Sequence, residues 1–157
     1  MASAYVDALK MLARRELSEA QLRQRLARRG HAADAVDAAV QKLRAERALD
    51  DARVAETIAR TQATVRGRGA HRVRREIEAA GIGRADAQRA VDDAFKDIDP
   101  DALLEAALSR RLRGRDRIAD DREFQRLYRY LVAQGFDVDR VVRALKARAR
   151  RGVDPTE

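Results

Sequence analysis

Arginine dominates the chemistry that this sequence can do. Of 34 basic side chains in 157 residues only Lys10, Lys42, Lys96 and Lys146 are lysines, so thirty are arginines, and against 26 carboxylates they leave a net charge of +8. A guanidinium pairs bidentately with phosphate or carboxylate and keeps its charge at any cellular pH, so this surplus favours polyanionic partners over small acidic substrates. The densest run is Arg110, Arg111, Arg113, Arg115 and Arg117, broken by Asp116. A second group, Arg66, Arg68, Arg72 and Arg75, brackets a glycine turn; Arg72 and Arg75 are expected to point outward from a helix buried through Val73 and Ile77. Arg25, Arg28 and Arg29 precede Gly30, and Arg143, Lys146 and Arg150 share one helix face at spacings of three and four. The candidate contacts to phosphates or to an acidic protein surface are therefore Arg25, Arg28, Arg29, Arg66, Arg68, Arg72, Arg75, Arg110, Arg111, Arg113, Arg143, Lys146 and Arg150.

Other chemistry lacks carriers. There is no cysteine, and the two histidines, His31 and His71, lie far apart without an HxxxH or HxxE companion, so no zinc site or general-base cluster is expected. No GxxxxGKS/T loop occurs, Gly67-x-Gly69 lacks the strand and third glycine of a dinucleotide fold, and no Ser/His/Asp set is discernible. Asp50-Asp51 reads as a helix start and Asp92-Asp93 as a solvated face rather than as magnesium ligands. Tyr128 and Tyr130, interleaved with Arg126 and Arg129, could stack bases, but Tyr128 falls beside the Phe124, Leu127, Leu131 stripe and reads as core. His31 reads as a packed turn residue and His71 as an addition to the Arg68–Arg75 group. No apolar run approaches the length needed to span a bilayer and no secretory pattern opens the chain, so a cytoplasmic protein is expected.

The elements that must position these arginines are helices. Aromatics make up 4% of the chain and prolines number two, a composition that favours helix over strand. Leu17-Ser18-Glu19-Ala20-Gln21-Leu22 carries a capping box and a hydrophobic staple. Gly30 ends the helix that follows, and Val36, Ala39, Val40 and Leu43 form the stripe of the next. The same order recurs twice. Aligned on Gly30, Gly81 and Gly135, the residues eight before are Leu22, Val73 and Leu127, those four before are Leu26, Ile77 and Leu131, and those ten after are Val40, Val91 and Leu145. Each repeat has a leading helix with a predicted buried stripe: Val6, Leu9, Leu12; Val54, Ile58, Val65; and Leu104, Ala107, Leu108, Leu112. Asp50 and Asp99 read as N-caps, Pro100 as a first helical residue, and Asp120 with Glu123 as another capping box. The expected fold is all-α, three tandem three-helix, helix-turn-helix-like modules in an elongated arrangement, near 1–49, 50–98 and 99–157. Their net charges are +4, +1 and +3. Neighbouring modules should stabilise one another by stacking. The Gly67-Arg68-Gly69 turn and residues 114–120 are the expected flexible points, and a frayed tail is expected from Gly152.

Several of these stretches together resemble the RecX regulators of the RecA recombinase: Leu12-Ala13-Arg14-Arg15-Glu16-Leu17-Ser18 leading to Leu22 and Arg28-Arg29-Gly30; Leu49-Asp50-Asp51-Ala52-Arg53-Val54-Ala55; Arg66-Gly67-Arg68-Gly69 with residues 77–82; and Leu127-Tyr128-Arg129-Tyr130-Leu131 with Gly135-Phe136. The resemblance covers nearly the whole chain. Val54 and Ala48 depart from it, standing where the family often has an aromatic and a leucine. It implies a non-enzymatic, cofactor-free modulator that lies in the helical groove of the RecA filament on DNA. Such a protein limits filament growth, ATP hydrolysis, strand exchange and coprotease activity. The expected partners are the RecA filament and, weakly and without sequence preference, single- and double-stranded DNA, met by a monomer with no membrane contact. The other reading is an autonomous helix-turn-helix DNA-binding or transcription protein. Against it, the third helices begin Asp34-Ala-Val-Asp37 and Asp86-Ala-Gln-Arg89, poor termini for entering a major groove.

Overall fold

In the computed structural model, which describes residues 2–150, the three glycines that align the repeats all take positive φ, +93° at Gly30, +82° at Gly81 and +99° at Gly135. Each separates two helices, as the left-handed conformation requires of a residue without a Cβ. The helices are α1 (Ala4–Arg14), α2 (Glu19–Arg28), α3 (Ala33–Ala45), α4 (Asp51–Arg60), α5 (Ala70–Ala79), α6 (Arg84–Phe95), α7 (Pro100–Leu112), α8 (Asp121–Ala133) and α9 (Val138–Arg150). No strand occurs among the described residues. The tail expected from Gly152 lies outside them.

Three separate apolar cores follow the repeat. Leu22, Leu26 and Val40 are buried in the first with Leu17 and Leu43. Val73, Ile77 and Val91 occupy the same places in the second, and Leu127, Leu131 and Leu145 in the third. The helix starts carry the expected caps. Ser18 and Gln21 form the full capping box, Asp50 accepts from the Arg53 amide, and Asp99 accepts from the Asp101 amide ahead of Pro100. Such caps hold helices of 10 to 13 residues that would be marginal in isolation. The box expected at Asp120 is half made. Asp120 accepts from the Glu123 amide, but the Glu123 carboxylate turns to the Ala119 amide and to Arg115.

Two leading helices differ from their predicted stripes. In α1 the buried positions are Ala4, Asp7 and Ala8, while Val6 and Leu9 are 40% and 39% exposed. The helix is turned because Asp7 pairs inside with the His31 ring at 2.7 Å. Tyr5 also reaches α3, where its hydroxyl donates to Glu46 at 2.8 Å and Lys42 lies over its ring. After α4 the chain widens into a π-helical turn, Thr61–Val65, closed by the Arg66 amide on the Thr61 carbonyl. The wider turn carries Val65 out of the predicted stripe to 78% exposure.

The seams between units repeat a single docking mode. Ser18, the N-cap of α2, donates its hydroxyl to the carbonyl of Ala80, the residue before Gly81. Gly69, the N-cap of α5, donates its amide at 2.9 Å to the carbonyl of Gln134, the residue before Gly135, and the His71 amide donates to Gly135 itself at 3.1 Å. The Gly67–Gly69 turn is thus locked against the third unit, contrary to its expected flexibility. At the first seam the Glu19 amide also donates to Asp51 at 2.8 Å and Arg53 pairs with Glu16 at 2.5 Å. The two ends of the series differ. The Gly30 turn has open space around it, whereas at the far end α8 begins a turn earlier than α2 and α5 relative to its glycine, and Arg115 closes over Glu123 there.

Candidate cationic interface

A cleft of about 600 Å³ lies between α1 and α2, lined by Lys10, Met11, Arg14, Arg15, Arg25, Arg28 and Arg29. It contains all three first-unit arginines singled out above, every one exposed, and adds Lys10 and Arg14 of α1 and Arg15 at its C-cap. Lys10 and Arg14, four apart, sit on one helix face, and Arg14 with Arg15 ends α1, where the dipole favours cations. That spacing was readable, but the packing of α1 against α2 that joins the two sets was not. Asp7 lies at the edge, 3.9 Å from the Arg29 guanidinium. Its carboxyl is held below the ordinary range, chiefly by the hydrogen bond from His31 and further by the Arg29 charge.

The second and third units merge two groups that the sequence keeps apart. Arg110 of α7 reaches Gly67 so closely that a Cβ there would stand 3.0 Å from its Nη2, which sets Arg110 beside the turn carrying Arg66 and Arg68. Arg66 and Arg75 are exposed and Arg68 is half-buried. Arg72 departs from the outward orientation expected of it. Its side chain is 28% exposed, pairs with Glu76 at 3.6 Å and donates to the Ala133 carbonyl at 3.4 Å, so it belongs to the seam. His71 faces Asp137 at 4.0 Å across the same seam.

Along α7 the dense run divides by role. Arg111, itself exposed, lies over the Tyr130 ring, 3.7 Å from its centroid, in a cation–π contact. Arg113 ends the helix in the left-handed region at φ 51° and is exposed. Arg115 is engaged by Glu123, whose carboxyl it holds below the usual range. Tyr128 and Tyr130 are both half-buried against the third core. On α9, Arg143, Lys146 and Arg150 are all exposed and make no ion pair with any described residue, while Asp139 begins the same face. Arg148, unremarked in the sequence, is buried and binds Glu105 at 2.8 Å, the Ser109 hydroxyl at 3.2 Å and the Asp116 carbonyl at 3.4 Å. Its position one turn beyond Leu145 and two beyond Val141 was the available signal.

Among the described residues no group of His, Asp or Glu is arranged to hold a metal ion, and no helix is long and apolar enough to cross a membrane. The paired carboxylates act as caps and seam contacts: Asp50 caps α4, and Asp51, whose pKa burial raises, accepts from Glu19.

Residues 4–43, which span α1 to α3, match the model of the first three-helix domain of RecX. The regulatory protein RecX of Chromohalobacter salexigens is 36% identical over 139 residues, 88% of each chain. That of Halorhodospira halophila is 36% identical over 141 residues, covering 89% of this chain and 84% of its own. A crystal structure of regulatory protein RecX superposes with a TM-score of 0.71 at 25% identity, over 92% of this chain and 70% of that one. RecX from Lactobacillus salivarius shares the fold at 17% identity, with a TM-score of 0.70 over 92% and 93% of the two chains. Relatives matched at this identity from the first helix bundle to the last make the chain a member of the RecX family of regulatory proteins.

Proposed function

We propose that this chain is a cytoplasmic, monomeric, non-enzymatic regulator that binds the RecA filament on DNA and restrains its growth, ATP hydrolysis, strand exchange and coprotease activity. The observation that carries this reading is the distribution of exposed cations over all three units, from Arg25 and Arg28 through Arg66 and Arg110 to Arg143, Lys146 and Arg150. A surface charged along its length suits a long anionic body better than a single small ligand. Three units, with limits near 1–49, 50–98 and 99–157 and interlocked at both seams, act as one body and so gain effective concentration along a repeating partner.

The test is sedimentation of recombinase filaments on single-stranded DNA with the protein present, paired with the DNA-dependent ATPase rate. Co-sedimentation and inhibition are expected with nucleotide present. Binding to DNA alone should be weak and indifferent to sequence, with a logarithmic salt slope of about −3 to −5 for roughly four to six neutralised phosphates. A chain that ignores filaments and strongly prefers one duplex site would replace this reading with that of an autonomous DNA-binding protein.

A further inference from the structure

Four large apolar side chains are exposed among the described residues, and two of them, Val6 and Leu9, lie one turn apart on α1. The helix was turned to put Asp7 against His31, and the consequence is an outward apolar strip continued by exposed Ala13. Lys10 and Arg14 run along its border and lead into the cleft that Arg15, Arg25, Arg28 and Arg29 complete. Although six of the seven lining residues are cations, most of the exposed lining is carbon, with Met11 among it. Arginine and lysine stems present apolar flanks while their charges stay in water.

An apolar strip beside a cationic cleft is a different surface from the α9 face, where Arg143, Lys146 and Arg150 stand exposed along one side of the helix. Phosphodiester backbones are held by charge and hydrogen bonds and gain nothing from valine and leucine. A protein helix gains from both, through apolar anchors three and four residues apart and charges on its flanks. We infer that the α1 strip with the α1–α2 cleft is a docking surface for an acidic amphipathic helix of a protein partner, which makes the first unit the protein-binding end of the molecule. If the filament reading is right, that helix belongs to the recombinase.

The probe is a synthetic amphipathic helix with leucine at alternating third and fourth positions and glutamate elsewhere, fluorescently labelled and titrated with the full chain. Binding is expected, and a version with lysine in place of glutamate should not bind. Val6→Ser with Leu9→Ser should weaken the acidic peptide about tenfold or more with the melting temperature unchanged. Arg14→Glu with Arg28→Glu should weaken it similarly. Affinity for single-stranded DNA and its salt slope should stay as they were in the Val6→Ser, Leu9→Ser protein. No binding of the acidic peptide, or equal binding by the serine variant, overturns the inference, as does a parallel loss of DNA affinity, which would make the cleft a nucleic-acid site. The peptide needs no recombinase, so a chain that binds it but ignores filaments contradicts the proposed function and leaves the docking surface standing.

Discussion

The hydroxyl of Ser18 serves two partners at once, accepting from the Gln21 amide at 3.1 Å and donating to the carbonyl of Ala80, 62 residues away. A single oxygen thus starts α2 and ties the first unit to the second. Ser18→Ala should cost about 2 kcal/mol, because it removes an N-cap worth about 1 kcal/mol and strands a buried carbonyl. Ser3→Ala, which removes only the exposed cap of α1, should cost about 1 kcal/mol or less. Urea unfolding of the two variants measures the difference.

Gly135 and Gly30 share the same backbone conformation but not the same surroundings. A Cβ on Gly135 would come within 2.3 Å of the Arg72 amide nitrogen, while one on Gly30 meets open space. Gly30→Ala should lose only the strain of a left-handed alanine, about 1–2 kcal/mol. Gly135→Ala adds a backbone clash that pushes the second and third units apart, and its loss should exceed about 3 kcal/mol. Hydrogen exchange localises the damage: protection at Gly69 and His71 should fall in Gly135→Ala and persist in Gly30→Ala.

Acid should loosen the first unit at Asp7. Its folded pKa lies below its unfolded value, so the stabilisation is fully present above the ordinary carboxylate range and is lost as pH falls through the lowered folded value. Glu123, lowered by Arg115, acts with the same sign in the third unit. Melting temperatures recorded from neutral pH down to about pH 3 should therefore drop less steeply for Asp7→Asn, which starts lower at neutral pH, than for the parent chain.

Arg148 is a buried cation with three neighbours to satisfy it. Arg148→Ala should destabilise the third unit by about 2–4 kcal/mol, since it leaves Glu105 and Ser109 without their partner and opens a void beside the core. Arg150→Ala, two residues further along and exposed, should change stability by no more than about 0.5 kcal/mol.

Charge reversal of the α9 face, Arg143→Glu with Lys146→Glu and Arg150→Glu, should leave the fold intact because all three side chains face away from Val141 and Leu145. If the face contacts phosphates as proposed, the salt slope of DNA binding should shrink by about 2–3 and inhibition of recombinase ATP hydrolysis should fall. An unchanged slope would assign the face to solvation alone.

What the sequence discloses here is whatever is local. The glycines at 30, 81 and 135 mark their turns by their own backbone needs, and the leucine and valine positions counted from them are buried because a helix fixes that geometry over a few residues. The capping box at Ser18 is equally local. Misreadings arise where a distant partner decides. Asp7 is buried through His31, 24 positions on, and that pairing turns α1 away from the face its apolar spacing suggests. Arg72 faces outward by helix periodicity and inward by virtue of Ala133 in another unit. Lys10, Arg14 and Arg15 join Arg25, Arg28 and Arg29 only once α1 and α2 pack. The π-helical turn before Arg66 leaves no mark in residue types that a periodicity of 3.6 could register.

The unlike ends of the unit series give the molecule a sense of direction. With the Gly30 turn open at one end and the extra turn of α8 sealed by Arg115 and Glu123 at the other, the body has a head and a tail that no rotation interchanges. Laid along a track that is itself polar, such a body matches in one sense only, so reversing it would set every contact against the wrong subunit.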